Sequence, residues 1–213
     1  MSEPRILFAT LDTLPQTLGG EGEPLVVLPF TNPVLAARSA SQLARRAGTV
    51  GTILCIHDTA GKGFIKVANS AFRRSVAPYF AYVAQDAFAG REWLSSALEA
   101  IDKNGGGLLA FNDGKWAGRL AAFGLARREW AQGNYDGDLF HSGYKRHYAD
   151  VELTLIAMQQ RRLRYSPNAL LVEVDWKKEA SPVDEADRLL YYQRGQTAFD
   201  RKVPNPGLRR MFK

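Results

Sequence analysis

Apolar runs alternate with stretches of helical periodicity through the first half of the chain. Residues 25–30, 50–56 and 79–84 are nearly continuous apolar runs, a pattern typical of strands that are buried on both faces. Between them, apolar residues recur at helical spacing over residues 34–46 and 65–75. Strands and helices that alternate in this way predict a parallel sheet with helices packed on its faces.

The second half of the chain continues this alternation less regularly. Its pattern predicts, in order, a helix over residues 91–104, a strand over 108–111, helices over 119–130 and from about 150, a strand over 170–174 and a last helix over 183–199. We therefore expect one α/β domain over residues 25–200.

Both ends of the chain are expected to lie outside this domain. Residues 1–24 form an N-terminal extension, with one strand over residues 5–10 followed by a loop rich in Pro, Gly and Glu. Residues 201–213 form a basic C-terminal tail in which five Lys and Arg residues surround prolines and a glycine. This composition predicts a mobile arm.

Acidic residues follow two of the predicted strands. Asp58 comes just after the run 50–56, and Asp86 comes just after the run 79–84. In open α/β sheets the ligand binds beyond the carboxyl ends of the strands, so both residues lie where a site is expected. Carboxylates there can hold a hard divalent cation that bridges phosphate oxygens. Each Asp could instead cap the turn after its strand, a role that Asp often fills.

The charge balance bears on the kind of partner. Among 213 residues, 28 Lys and Arg against 22 Asp and Glu give a net charge of +6. This balance favours a polyanionic partner such as a nucleic acid, a phospholipid surface or a phosphorylated small molecule. A solvated surface with additional basic residues accounts for the same numbers equally well.

Several classes of function lack their sequence signals. Neither a Gly-x-Gly-x-x-Gly motif nor a P-loop motif is present, and the three His residues are too dispersed for a zinc cluster. No apolar run approaches the roughly 20 residues that cross a bilayer, and no basic-then-apolar leader opens the chain. The single Cys55 lies in an apolar strand and fits a reducing compartment. A cytoplasmic protein without a transmembrane segment is expected.

Five segments in order resemble the family 2 glycosyltransferases and their nucleotide-sugar-binding GT-A fold. They are LVVLPFTN (25–32), ILCIHD (53–58), VANSA (67–71), FAYVAQDAF (80–88) and YADVEL (148–153). The last of these, with the segment 133–144 before it, is similar to a short bacterial and phage branch of the family. The resemblance implies a three-layer, Rossmann-like sandwich with a mostly parallel central sheet and helices on both faces.

The resemblance also implies roles for side chains near the nucleotide and the metal. The donor nucleotide would be bound by Pro29, Phe30, Asn32, Asp58 and Asn69. A Mn²⁺ or Mg²⁺ ion would bind Asp86, and further metal or phosphate contacts would come from Glu173 and Asp175.

Other side chains would serve the reaction itself. Asp150 would be the catalytic base, with Asp113 or Asp138 as the substitutes to consider if it is only a helix cap. Contacts to the donor or acceptor sugar would come from Asp113, His141 and Glu152, although Glu152 lies about 200° round the helix from Asp150.

The chain departs from the family pattern at three places. The metal motif is Ala84-Gln85-Asp86, with one acid where two or three are usual, and Ala149 replaces the Glu that normally precedes the catalytic Asp. The His that many members have after the late strand is missing. Residues 159–163 resemble the Gln-x-x-Arg-Trp box of processive synthases but lack its Trp, so processive synthesis is not expected.

The resemblance implies sugar transfer with inversion from a nucleoside-diphosphate sugar, a UDP-sugar being the expected donor, to a saccharide or other hydroxyl acceptor. One alternative keeps this chemistry but places the hydroxyl on a modified base of phage DNA, since the charge of +6 and the basic tail suit a polyphosphate track. Another alternative, favoured by the reduced metal motif, is a catalytically inactive module that binds nucleotide sugars.

Overall fold

Eight strands lie in one sheet across the residues that the computed structural model describes, which are 3–103, 105–174 and 183–212. In chain order the strands are β1 (Arg5–Thr10), β2 (Leu25–Phe30), β3 (Thr52–His57), β4 (Tyr79–Tyr82), β5 (Ala87–Ala89), β6 (Leu108–Asn112), β7 (Gly124–Arg127) and β8 (Leu163–Glu173). Their order across the sheet is β1-β3-β2-β4-β7-β6-β8-β5.

Helices cover both faces of this sheet. The described helices are α1 (Pro33–Arg45), α2 (Phe64–Arg74), α3 (Trp93–Asp102), α4 (Arg128–Ala131), α5 (Ala149–Gln159), α6 (Glu185–Gln196) and α7 (Pro206–Arg209). On one face, α1 and α3 bury side chains such as Leu43 and Trp93, and on the other, α2 and α5 bury side chains such as Phe72 and Leu153. The expected three-layer arrangement is therefore confirmed.

The buried strands supply both layers of the core. In β2, Val26 and Leu28 pack on the α1 and α3 side, whereas Leu25 and Val27 pack on the α2 side. Successive side chains of a strand point to opposite faces, so a strand buried on both faces must be apolar throughout. This requirement explains why the sequence pattern located β2, β3 and β4 well.

The expectation of a mostly parallel sheet is correct for only part of it. Strands β1, β3, β2 and β4 pair in parallel, and β6 pairs in parallel with β8. Strand β7 is antiparallel to both β4 and β6, and β5 is antiparallel to β8. Strand β7 has this direction because the chain returns directly from β6, without a crossover helix.

The helix expected over residues 119–130 is wrong. That segment forms β7 and then the short helix α4. Strand β7 begins at Gly124, where a Cβ atom would overlap the phenol of Tyr82 on the neighbouring strand. The late strand also begins earlier than the expected 170–174, since β8 spans Leu163–Glu173.

Both ends of the chain pack against the domain from which they were expected to be separate. The strand expected over residues 5–10 is confirmed as β1, and it extends the sheet as an edge strand beside β3. The mobile C-terminal arm is wrong, because Val203 is completely buried and α7 follows it. The Asn205 N–H donates to the side-chain oxygen of Gln159 at 3.2 Å, so this segment packs along α5.

None of the helices in residues 3–103, 105–174 and 183–212 is both long enough and apolar enough to cross a membrane.

Candidate functional site

A pocket of about 630 Å³ opens where β4 ends and where α2 and α5 begin. Its walls include Phe64 at the start of α2, Ala84 just after β4 and Asp150 in the first turn of α5. The loop between β6 and β7, the segment 146–148 before α5 and the segment 211–212 also contribute, as do Phe140 and Val183. Since β4 is a parallel strand, the pocket lies at the edge of the sheet where open α/β folds bind ligands.

Asp150 lies at a rigid helix start, and its carboxyl is a weaker acid than an ordinary Asp. It is the second residue of α5, directly after Ala149, so the helix start expected near residue 150 is confirmed. Burial raises the pKa of its carboxyl from 3.8 to about 6, although the backbone N–H groups of Val151 and Asp150 itself oppose the rise. A carboxylate with a pKa close to neutral can accept a proton efficiently at physiological pH.

The loop before Asp150 is held by one buried carboxylate. Asp187 in α6 is only 2% exposed and accepts the backbone N–H groups of Lys145, Arg146 and His147 at 2.9, 2.8 and 2.8 Å. Arg146 and His147 both line the pocket. Because Asp187 fixes their backbone, it also fixes the positions from which the Arg146 and His147 side chains reach the pocket.

Glu152 does not face a sugar site, contrary to expectation. Its side chain is completely buried, and Arg194 donates to both of its carboxylate oxygens at 2.7 and 2.8 Å. The O–H groups of Tyr135 and Tyr144 donate to the same two oxygens at 3.0 and 2.8 Å. The carboxylate therefore joins α5 to α6 inside the protein and offers no surface to a ligand.

His141 lies beside this buried group and does not line the pocket. Its ring packs edge-on against Tyr135 and Tyr144, with centroids 5.9 and 5.7 Å apart. Burial and the charge of Arg194 lower the pKa of His141. The expected contact between His141 and a sugar therefore does not fit its position.

Asp113 and Asp138 have structural partners of their own. Asp113 is 8% exposed and accepts the N–H groups of Lys115 and Trp116 at 2.9 and 2.8 Å, which closes the turn after β6. The carboxylate of Asp138 pairs with the guanidinium of Arg73 in α2. Neither residue lines the pocket beside Asp150, so the sugar contact expected of Asp113 is not supported.

Asp58 lies directly after β3, as expected, and organises the following loop. Its carboxylate oxygens accept the N–H groups of Lys62 and Gly63 at 2.8 and 2.7 Å. Its own N–H donates to the carbonyl of Phe30 at 2.8 Å, which aligns the ends of β3 and β2. The turn-capping role is thus present, and each carboxylate oxygen keeps lone-pair capacity for a further donor.

Asn32 and Gln85 connect the ends of β2 and β4. The Gln85 side-chain oxygen accepts the N–H groups of Thr31 and Asn32 at 3.0 and 2.9 Å. The Asn32 side chain in turn caps α1 by accepting the N–H groups of Val34 and Leu35, both at 3.1 Å. Asn32 is therefore the N-cap of α1, and the nucleotide contact expected of it remains a prediction. The role of Gln85 had no signal in the sequence.

Three residues expected to bind the nucleotide make contacts inside the protein. Pro29 and Phe30 are buried in β2, where the Phe30 ring stacks on His57 with centroids 4.7 Å apart. Asn69 is 6% exposed, and its amide donates to the carbonyl of Phe140 at 2.9 Å and accepts its N–H at 3.0 Å. These contacts give the three side chains structural roles, and the nucleotide contacts expected of them remain predictions.

The described residues near Asp86 do not provide a complete set of ligands for a divalent metal. Asp86 lines a second cavity, of about 1360 Å³, together with Glu3, Glu92 and four arginines. Hard divalent cations need several oxygen ligands, yet the described residues contain no group of three His, Cys, Asp or Glu that could hold a metal. The oxygen of the adjacent Gln85 already accepts two backbone N–H groups.

One of the two late-strand acids lies among the described residues. Glu173 lies at the end of β8, where its carboxylate is 3.6 Å from the Lys115 ammonium. Asp175 lies outside the described residues. The expected metal or phosphate contacts from these two residues remain predictions. Asp86 and Asp150 also line different cavities that share no lining residue.

The architecture resembles that of solved structures. TarS from S. aureus, residues 1–349, matches with a TM-score of 0.52 and 14% identity, over 70% of this chain and 59% of that chain. The mannosyltransferase PcManGT from Pyrobaculum calidifontis, in complex with GDP-Man and Mn²⁺, matches with a TM-score of 0.56 and 14% identity, over 82% of this chain and 61% of that chain. The fold is glycosyltransferase-like.

This likeness concerns the fold alone, because the identity is low. The chain spans about three fifths of the length of each of these two solved chains. Comparison with protein-family models and with curated proteins finds no match. The expected α/β glycosyltransferase fold is thus confirmed, and the particular family and branch are not.

Proposed function

We propose that this chain transfers a sugar from a nucleoside-diphosphate sugar to an acceptor hydroxyl, with Asp150 as the general base. The observation that carries the proposal is the position of Asp150, which lies on a rigid helix start in a pocket at the carboxyl edge of the sheet. Its pKa of about 6 suits proton abstraction near neutral pH. The glycosyltransferase-like fold supports the same chemistry by analogy.

The proposed reaction is one displacement with inversion at the anomeric carbon. The Asp150 carboxylate takes the proton of the acceptor hydroxyl while the acceptor oxygen forms a bond to the anomeric carbon. The bond from that carbon to the diphosphate oxygen breaks, and its electron pair leaves with the diphosphate. Arg146, which lines the same pocket, is the cationic side chain closest along the chain to this base. The neighbouring His147 ring accepts the Asp184 N–H through Nδ1 at 3.2 Å.

The nucleotide is proposed to bind at the loop after β3. Asp58 remains the proposed contact to a ring N–H of the base, with a UDP-sugar as the expected donor. The Lys62 and Gly63 N–H groups that Asp58 accepts already order this loop. A preordered loop loses less conformational entropy when a ligand binds.

The decisive test is release of nucleoside diphosphate from UDP- and GDP-sugars by the purified chain in the presence of mixed hydroxyl acceptors. Release that requires an acceptor and disappears in Asp150→Asn supports the proposal. Binding of the donor without any turnover would instead support the inactive module. The DNA-modifying alternative has lost one argument, because the basic C-terminal segment is folded against α5 and is not a mobile arm.

Transfer is expected to proceed without a divalent metal. The Asp86 cavity is lined by four arginines as well as by Glu3, Asp86 and Glu92, and among the described residues no three His, Cys, Asp or Glu side chains are grouped so that they could share Mn²⁺ or Mg²⁺. We expect the rates in EDTA and in millimolar Mn²⁺ to agree within about twofold, and calorimetry to detect no Mn²⁺ binding tighter than millimolar. A rate that disappears in EDTA and returns with Mn²⁺ would restore the metal role of Asp86.

The rate of transfer is expected to fall in acid as Asp150 becomes protonated. Because the pKa of this carboxyl is about 6, kcat/KM should be nearly constant above pH 7 and should fall about tenfold for each pH unit well below 6. A profile measured between pH 4.5 and 8.5 tests this expectation. A rate that stays constant down to pH 4.5 would exclude Asp150 as the base.

A further inference from the structure

The pocket beside Asp150 contains few groups that can form hydrogen bonds with a ligand. Among the described residues, its charged or ionisable side chains are Asp150, Arg146, His147 and the phenols of Tyr82 and Tyr148. The Tyr82 O–H is already used, since it donates to a backbone carbonyl in the loop between β6 and β7 at 2.7 Å. The remaining lining side chains are apolar.

Aromatic rings enter this pocket from several separate parts of the chain, including Tyr82 of β4 and Phe140 and Tyr148 before α5. Phe64 comes from the start of α2, Trp116 and Phe123 from the loop between β6 and β7, and Phe212 from the C-terminal segment. Trp116 and Phe212 meet edge-to-face, with ring centroids 5.9 Å apart. Trp116 is still 36% exposed, so part of its surface is available to a molecule that enters the pocket.

The apolar, aromatic walls of the pocket favour an apolar acceptor over a polar one. A saccharide carries a hydroxyl on almost every carbon, and each hydroxyl buried without a partner costs about 1–3 kcal/mol. An aromatic body has no such groups, and its ring can pack edge-to-face or offset against Trp116, Phe123 and Phe212. A volume of about 630 Å³ lies within the range of small-molecule sites.

We infer that the acceptor is an aromatic alcohol or phenol, whose flat apolar body packs among these rings while its single hydroxyl faces Asp150. This inference rests on the proposed function and names the acceptor class for the same pocket. In the transfer step, the hydroxyl proton passes to Asp150, the phenolic oxygen bonds to the anomeric carbon and the nucleoside diphosphate leaves.

Binding without a donor tests the pocket independently of turnover. We would titrate the full chain with 4-methylumbelliferone and, separately, with methyl β-glucoside, using calorimetry. We expect the phenol to bind at least tenfold more tightly than the glucoside. Trp116→Ala and Phe212→Ala should each weaken phenol binding about fivefold to tenfold. Trp116→Phe, which keeps a ring, should weaken it less.

A matched control is provided by Phe8 on β1, which is 54% exposed and does not line the pocket. Phe8→Ala should leave phenol binding unchanged. Melting temperatures of all variants identify any that fail to fold, and binding is compared only among folded ones. Equal phenol affinity in the native chain, Trp116→Ala and Phe212→Ala would overturn the inference.

Transfer assays with UDP-glucose and GDP-mannose distinguish this inference from the proposed function. Transfer to 4-methylumbelliferone but not to maltose supports both the proposed sugar transfer and the aromatic acceptor class. Transfer to maltose but not to the phenol overturns the acceptor class and leaves the proposed function standing. Pocket-dependent phenol binding without any transfer to either acceptor supports the aromatic site and rejects the proposed function.

Discussion

Replacing Asp150 by Asn is expected to reduce turnover about 100-fold or more and, at the same time, to raise the melting temperature. The loss of turnover follows because Asn cannot accept the proton of the acceptor hydroxyl, and a positioned base contributes about 10²–10⁴-fold. The gain in stability follows from the sign of the pKa shift. A carboxyl whose pKa rises from 3.8 to about 6 on folding is more easily ionised in the unfolded chain.

The ionised Asp150 therefore destabilises the folded state at neutral pH. The rise in pKa to about 6 corresponds to at most about 3 kcal/mol, since one pH unit is about 1.4 kcal/mol, and the partial exposure of the side chain reduces this figure. For the native chain, the ionisation of Asp150 lowers the free energy of unfolding as pH increases from about 4 to 6. Above about pH 6 its contribution is constant. Asp150→Asn should remove this dependence.

Turnover, donor affinity and melting temperature measured on the same Asp150→Asn sample test these expectations together. Glu185→Gln is the matched control, because it also removes one acid from the first turn of a helix, at an exposed site whose ion pair with Arg188 lies on the surface. It should leave all three quantities nearly unchanged. If Asp150→Asn keeps its turnover and loses a little stability, Asp150 is only a helix-start residue that interacts with the helix dipole.

The parts of the fold that the sequence predicted are those whose burial leaves a local signature. Strands β2, β3 and β4 are continuous apolar runs because helices cover both of their faces. Strand β8 was largely missed because it begins at Leu163 among arginines and has several exposed side chains. Strand β7 has four residues, and the three that follow Gly124 have good helical propensity. The pairing of β7 with β4 and β6 overrides that propensity.

The same rule separates the candidate-site residues that the sequence could locate from those that it could not. Asp58 could be located because it follows a strand that the apolar pattern predicts, and Asp150 because it begins a predicted helix. The partners of Glu152 and Asn69 could not be located, since Arg194 is 42 residues from Glu152 and Phe140 is 71 residues from Asn69. A polar residue inside a predicted helix has the same local pattern whether it meets a ligand or a buried partner, so only the folded structure assigns these residues to packing.

Replacing Arg194 by Ala is expected to destabilise the protein by about 3–5 kcal/mol, because it leaves the completely buried Glu152 carboxylate without its cation. Only the Tyr135 and Tyr144 O–H groups would then contact the charge. For a chain of this length, such a loss lowers the melting temperature by about 10 °C. Thermal unfolding of the native chain and of Arg194→Ala measures the effect.

The double variant Glu152→Gln, Arg194→Met separates the buried charge from the lost packing. It removes both charges while keeping side chains of similar volume, so it should recover most of the stability that Arg194→Ala loses. Lys103→Ala, which breaks the exposed pair of Lys103 with Glu99, should cost less than about 1 kcal/mol. If Arg194→Ala proves as mild as Lys103→Ala, the carboxylate does not depend on Arg194. A double variant no more stable than Arg194→Ala would assign the loss to packing between α5 and α6. If Arg194→Ala is strongly destabilised, its turnover should also fall, because the helix that carries Asp150 loses its anchor to α6.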